Sequence, residues 1–66
     1  MNNTYVNIIE CKHFMRFSAI NDESGQDYEG GEPIGNDDVS RAKAIGRIMT
    51  SVALVLPAEQ FTIRFL

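Results

Sequence analysis

The segment Asp37–Leu56, DDVSRAKAIGRIMTSVALVL, decides the fold, because it carries helical periodicity over several turns. At 100° per residue, Ser40, Lys43, Arg47, Thr50 and Ser51 gather into one polar sector roughly 100° wide. Ala42, Ile45, Ile48, Met49, Val52, Ala53 and Leu56 fill the opposite side, and Ala44 and Val55 widen it. The resulting apolar arc of roughly 200° exceeds what a helix needs to cover one small sheet. Asn36 or Asp37 can accept the orphan amide hydrogens as N-cap. Asp37 and Asp38 also suit the positive end of the helix dipole. Pro57 stops the element. The end of the segment is ambiguous, since Ser51–Leu56 is apolar and β-branched enough for a strand. The longer helix, Asp37 to about Val55, is the reading adopted.

Working outward, Phe61-Thr62-Ile63-Arg64-Phe65-Leu66 is the cleanest strand, with Phe61, Ile63 and Phe65 on one face and Thr62 and Arg64 on the other. Upstream, Tyr5–Ile9 is rich in β-branched residues, and in Phe14–Ile20 the residues Met15, Phe17 and Ala19 alternate with Arg16 and Ser18. Glu10-Cys11-Lys12-His13 is left as a short hairpin connection. Residues 21–36 carry Gly25, Gly30, Gly31, Pro33 and Gly35 among mutually repelling acids, and read as an acidic, Gly-rich loop. Loops that long are functional or disordered in most small domains. The expected fold is therefore a single α+β domain over 1–66, ordered β-β-α-β, with a small antiparallel sheet and one helix packed across it. If Ser51–Leu56 were a strand, the order would be β-β-α-β-β.

A chain of this length buries only about 60% of its unfolded surface. Small domains are commonly supported by disulfides, a metal or a partner. Cys11 is the sole cysteine, which excludes an intrachain disulfide and suits a reducing cytoplasm. No basic region followed by an apolar run opens the chain, and Ile45–Leu56 is too short and too interrupted to span a bilayer. A cytoplasmic protein without a membrane partner is expected.

Most site chemistry fails on spacing. Cys11 and His13 could form a nucleophile–base pair, but no acid is evidently placed to orient the histidine, although Glu10 is adjacent in sequence to the pair. As metal ligands they supply two of the four that structural zinc needs. An EF-hand register starting at Asp22 puts Ser24, Gln26 and Asp27 at its third, fifth and sixth positions, missing both the ligands and the glycine. The glycines match no phosphate-binding pattern, and their surroundings are anionic. Arg41, Lys43 and Arg47 make no basic stripe, since Arg41 points about 120° away from the other two. No enzyme, metal, cofactor or direct nucleic-acid contact is expected.

The strongest functional signal is charge segregation. Seven of the nine acids (Asp22, Glu23, Asp27, Glu29, Glu32, Asp37 and Asp38) fall in a window without Lys or Arg, which carries −7. The remainder sets six basic residues against Glu10 and Glu59, a net of +4. Such a block reads either as a solvated linker or as a surface that steers association with a basic partner. Under the second reading the binding residues are Asp22, Glu23, Asp27, Tyr28, Glu29 and Glu32, with Tyr28 as anchor. Lys43 and Arg47 form a second, weaker surface.

In size, acidity and layout the chain resembles the small phage-encoded proteins that disable bacterial machinery, anti-CRISPR proteins and polymerase inhibitors among them. The likeness is one of class, resting on the 66-residue length, the Asp22-to-Asp38 charge block and a helix over a small sheet. It implies a stoichiometric inhibitor that blocks a larger, nucleic-acid-handling protein complex with a basic surface. The alternative is a homo-oligomeric structural or accessory protein, possible as a homodimer, assembling through its helix and C-terminal edge strand.

Overall fold

The computed structural model describes residues 1–66. Its helix α1 (Asp38–Val55) begins where the sequence signals it: Asp37 is the N-cap, its Oδ1 accepting the Ser40 amide at 3.0 Å. The helix runs through Ser51–Val55 and closes at Leu56, whose amide donates to the Val52 carbonyl. The strand alternative for that segment is therefore not realised. Ala44, Ile48 and Val52, spaced four apart on one face, are fully buried.

Four strands make one sheet beneath the helix: β1 (Asn3–Glu10), β2 (Phe14–Asn21), β3 (Asp27–Pro33) and β4 (Gln60–Phe65), in the spatial order β3-β2-β1-β4. The α+β class, the single helix and its place across a small sheet are as the sequence indicates. Two features differ from expectation. Residues 27–33 form a strand inside the segment expected to be loop, and β4 runs parallel to β1, so the sheet is mixed.

The parallel pairing follows from length. Eighteen helical residues at ~1.5 Å each span about 27 Å, close to the ~25 Å of an eight-residue strand. The helix thus returns the chain to the end of the sheet where β1 starts, and the Glu59 and Gln60 amides both donate to the Asn2 carbonyl there.

The extra strand has a packing cause. Glycine is a poor strand former because it brings no side chain to pack. In β3 that lack is what β2 requires. Register pairs Gly30 with Phe17 and Gly31 with Arg16, and the two glycines face opposite sides of the sheet. A Cβ on Gly30 would meet the Phe17 ring at 3.0 Å, and one on Gly31 would run into the Phe14 ring. Two aromatic rings on β2 thus lie against β3 from above and below. What remains of the expected loop is a turn at 22–26 and residues 34–36 of the link to the helix. In the turn, Gly25 has φ of 74°, the left-handed region that glycine enters without penalty.

The core lies between the sheet and the helix: Val6 and Ile8 from β1, Met15, Phe17 and Ala19 from β2, Ile34 from the link, and the helix residues with Leu56. Full burial of each large aliphatic side chain contributes about 1.5–3 kcal/mol. A buried polar chain closes one end of this layer. The Thr4 hydroxyl donates to the Leu56 carbonyl at 3.0 Å and accepts from Asn21 Nδ2 at 2.9 Å. Asn21 Oδ1 in turn accepts the Glu23 and Ser24 amides, which folds the turn back on the strand.

Candidate binding surface

Because β3 is an edge strand, the acidic residues stand along one rim of the molecule rather than on a floppy segment. Strand alternation then sorts them. Asp27 and Glu29 project from the face away from the helix, in register with Ile20 and Ser18. Tyr28 and Glu32 project toward the helix, in register with Ala19 and Met15. Asp22 and Glu23 lie in the turn at one end of β3, and Asp37 and Asp38 follow its other end.

Several of these side chains already have intramolecular work. Asp22 Oδ1 accepts the Asn3 amide at 2.8 Å and ties the turn to β1. Glu32 is ion-paired with Arg47, Nε to Oε1 2.6 Å, across the gap between β3 and the helix. Asp37 caps the helix, and Asp38 pairs with Arg41 one turn later. Tyr28 is half-buried: its ring meets Phe17 edge-on at 5.4 Å between centroids, and its hydroxyl shares a 2.9 Å hydrogen bond with Ser51. Tyr28, the residue expected to anchor a partner, ties the helix to the edge strand.

Glu23, Asp27 and Glu29 remain as exposed carboxylates with no hydrogen bond or ion pair to the rest of the chain, all near the β2–β3 hairpin. They are the part of the expected site that the fold brings together and leaves free. Lys43 and Arg47 lie on the outer side of the helix, and Arg47 is committed to Glu32. They do not join the hairpin cluster.

The open face of the sheet adds a mixed surface. Ile9, Phe14 and Arg16 line a shallow depression that Glu29 borders. Farther along, Arg64 lies 4.8 Å over the Tyr5 ring and donates to Asn7 Oδ1 at 2.9 Å. Cys11 and His13 are both exposed, and no three His, Cys, Asp or Glu side chains are grouped so as to hold a metal ion. No helix is long and apolar enough to cross a membrane.

Comparison with protein-family models, curated proteins and solved structures finds no match to this chain.

Sequence reasoning found the acids but not their sorting. One signal for it was available: Asp27-Tyr28-Glu29 alternates charged and aromatic residues as a half-buried strand does. The two glycines that follow obscured it.

Proposed function

We propose that the protein is a stoichiometric binding protein whose acidic hairpin edge docks on a basic surface of a larger complex and blocks it. The observation that carries this reading is the set of three unpartnered carboxylates, Glu23, Asp27 and Glu29, held on a hydrogen-bonded hairpin. A flexible acidic tail loses conformational entropy when it binds, at a cost of about 1–2 kcal/mol per ordered residue. Carboxylates carried on the already ordered backbone of a strand and its turn avoid most of that cost, so more of their attraction appears as affinity. Asp27 and Glu29 stand roughly 6.8 Å apart as successive residues on one face, and the exposed Ile20, in register with Asp27, offers an apolar contact beside them.

Basic clefts with this complementarity occur where proteins hold DNA or RNA, and an acidic edge can occupy such a cleft in place of phosphates. That mode of action is the one implied by the resemblance to phage-encoded inhibitors, anti-CRISPR proteins among them. It places the protein in the cytoplasm, where the single free thiol of Cys11 stays reduced.

The test is retention of a nucleic-acid-handling complex by the tagged protein from nuclease-treated bacterial lysate, beside the triple variant Glu23→Gln, Asp27→Asn, Glu29→Gln. The expected result is one retained complex whose binding weakens steeply with salt and is lost in the variant, with inhibition of its activity at a one-to-one ratio. Equal retention by both proteins sinks the proposal.

A further inference from the structure

A strand at the end of a sheet exposes a row of unpaired N–H and C=O groups, which other chains can pair with unless the edge is blunted. This sheet has two such edges, β3 and β4, and only one is blunted. The β3 edge carries three acids, two glycines and Pro33 in DYEGGEP. The β4 edge, QFTIRF, has no acid, glycine or proline. Its one charge, on Arg64, is folded back over Tyr5 and Asn7 of the neighbouring strand.

The backbone of β4 is aimed for pairing by its apolar residues. The Gln60 and Leu66 amides donate inward, to the Asn2 and Ile8 carbonyls. Alternation therefore turns Thr62 and Arg64 inward too, and sends the N–H and C=O groups of Phe61, Ile63 and Phe65 outward. The side chains of those three share the helix side of the sheet with Thr4, Val6 and Ile8. The helix, however, packs against β3 and β2. Cover fades across the sheet: Val6 and Ile8 are buried at 0% and 1% exposure, whereas Ile63 and Phe65 are 39% and 65% exposed.

We propose that the β4 edge pairs antiparallel with the β4 edge of a second copy, with Ile63 on the two-fold axis, fusing two four-stranded sheets into one. In that register Ile63 faces Ile63, Phe61 faces Phe65, and Thr62 faces Arg64. All three outward-facing residues then fall at hydrogen-bonded pair positions, where each pair exchanges both of its N–H···O=C bonds. Apolar side chains meet apolar ones on the helix side, and polar meet polar on the open side. The strand is complementary to itself, which is what an isologous interface requires.

Charge selects the same arrangement. Each copy carries a net −3, concentrated at the β3 rim. Joining through β4 puts the two acidic rims at opposite ends of the fused sheet, roughly 34 Å apart at ~4.8 Å per strand step. That is several Debye lengths of ~8 Å. Pairing through β3 would instead bring Asp27, Glu29 and Glu32 against their own copies. The acidic hairpins stay free in the dimer, so this inference does not depend on the proposed function.

The experiment is sedimentation velocity and light scattering of the purified protein across a concentration series. Ile63→Lys sets like charges opposite each other, and Ile63→Pro removes an outward N–H that the monomer does not use. Circular dichroism shows that each variant is folded. The expected result is a salt-insensitive dimer whose dissociation constant rises on the order of tenfold or more with Ile63→Lys. Ile63→Cys, in a Cys11→Ser background, should cross-link to itself on oxidation, since hydrogen-bonded partners lie about 5.5 Å apart at Cα. Thr62→Cys should not. A wild type that stays monomeric at every concentration overturns the proposal, even if its edge captures a strand from another protein. So does a dimer that both folded Ile63 variants leave intact.

Discussion

Replacing Thr4 by valine isolates the buried polar chain that joins β1, the β2–β3 turn and the end of the helix. The change keeps side-chain shape and removes a hydroxyl that is fully buried. The Leu56 carbonyl then loses the donor it has at 3.0 Å, while Asn21 Nδ2 loses one acceptor and keeps Asn2 Oδ1. A stranded buried group costs about 1–3 kcal/mol, and Leu56 has the larger share because Asn21 keeps a partner. The sum is about 2–3 kcal/mol. Total stability for a chain this short is roughly 3–10 kcal/mol, so the loss is a large fraction of it. At 4–8 °C per kcal/mol the melting temperature falls by roughly 10–20 °C. Thr4→Ser is the control: it keeps the hydroxyl and deletes a methyl, at about 0.5–1.5 kcal/mol. Thermal melts and urea titrations followed by circular dichroism measure both. If Thr4→Val is as stable as Thr4→Ser, or more so, the hydroxyl does not hold this end of the layer and the reasoning fails.

Four further outcomes are expected. Ile48→Ala, at a fully buried helix position, should cost about 2–5 kcal/mol and lower the urea midpoint more than any surface change. Gly25→Ala, forced to a φ of 74°, should cost about 1–2 kcal/mol, seen as a lower urea midpoint with an unchanged slope. Tyr28→Phe should lose about 0.5–1.5 kcal/mol with its Ser51 bond, whereas Glu32→Gln, breaking a partly exposed ion pair, should lose no more than about 1 kcal/mol. A double-mutant cycle of each with its helix partner, Ser51→Ala or Arg47→Gln, checks the assignment.

The acidic residues illustrate how far one-dimensional reading reaches. Their crowding between Asp22 and Asp38 is plain in the sequence, and so is the absence of any base among them. Which of them are free is a property of partners distant along the chain. Glu32 finds Arg47 fifteen residues later, Tyr28 finds Ser51 twenty-three residues later, and Asp22 finds Asn3 nineteen residues earlier. Tyr28 reads as an interface anchor in the sequence because tyrosines often carry interface energy, whereas in the fold β2 supplies Phe17 to cover part of its ring.

By itself the sequence determined the elements whose signals are local. The helix from its cap to Val55, the hairpin of β1 and β2, the alternating C-terminal strand and the inward face of β2 (Met15, Phe17 and Ala19) follow from periodicity and capping, which neighbours a few residues apart control. Tertiary structure alone decided β3, the parallel placement of β4 and the division of the acids into bound and free. A glycine pair has no strand preference of its own. It became strand because Phe14 and Phe17 on β2 need backbone without side chains beside them, and that requirement exists only once the two segments lie together.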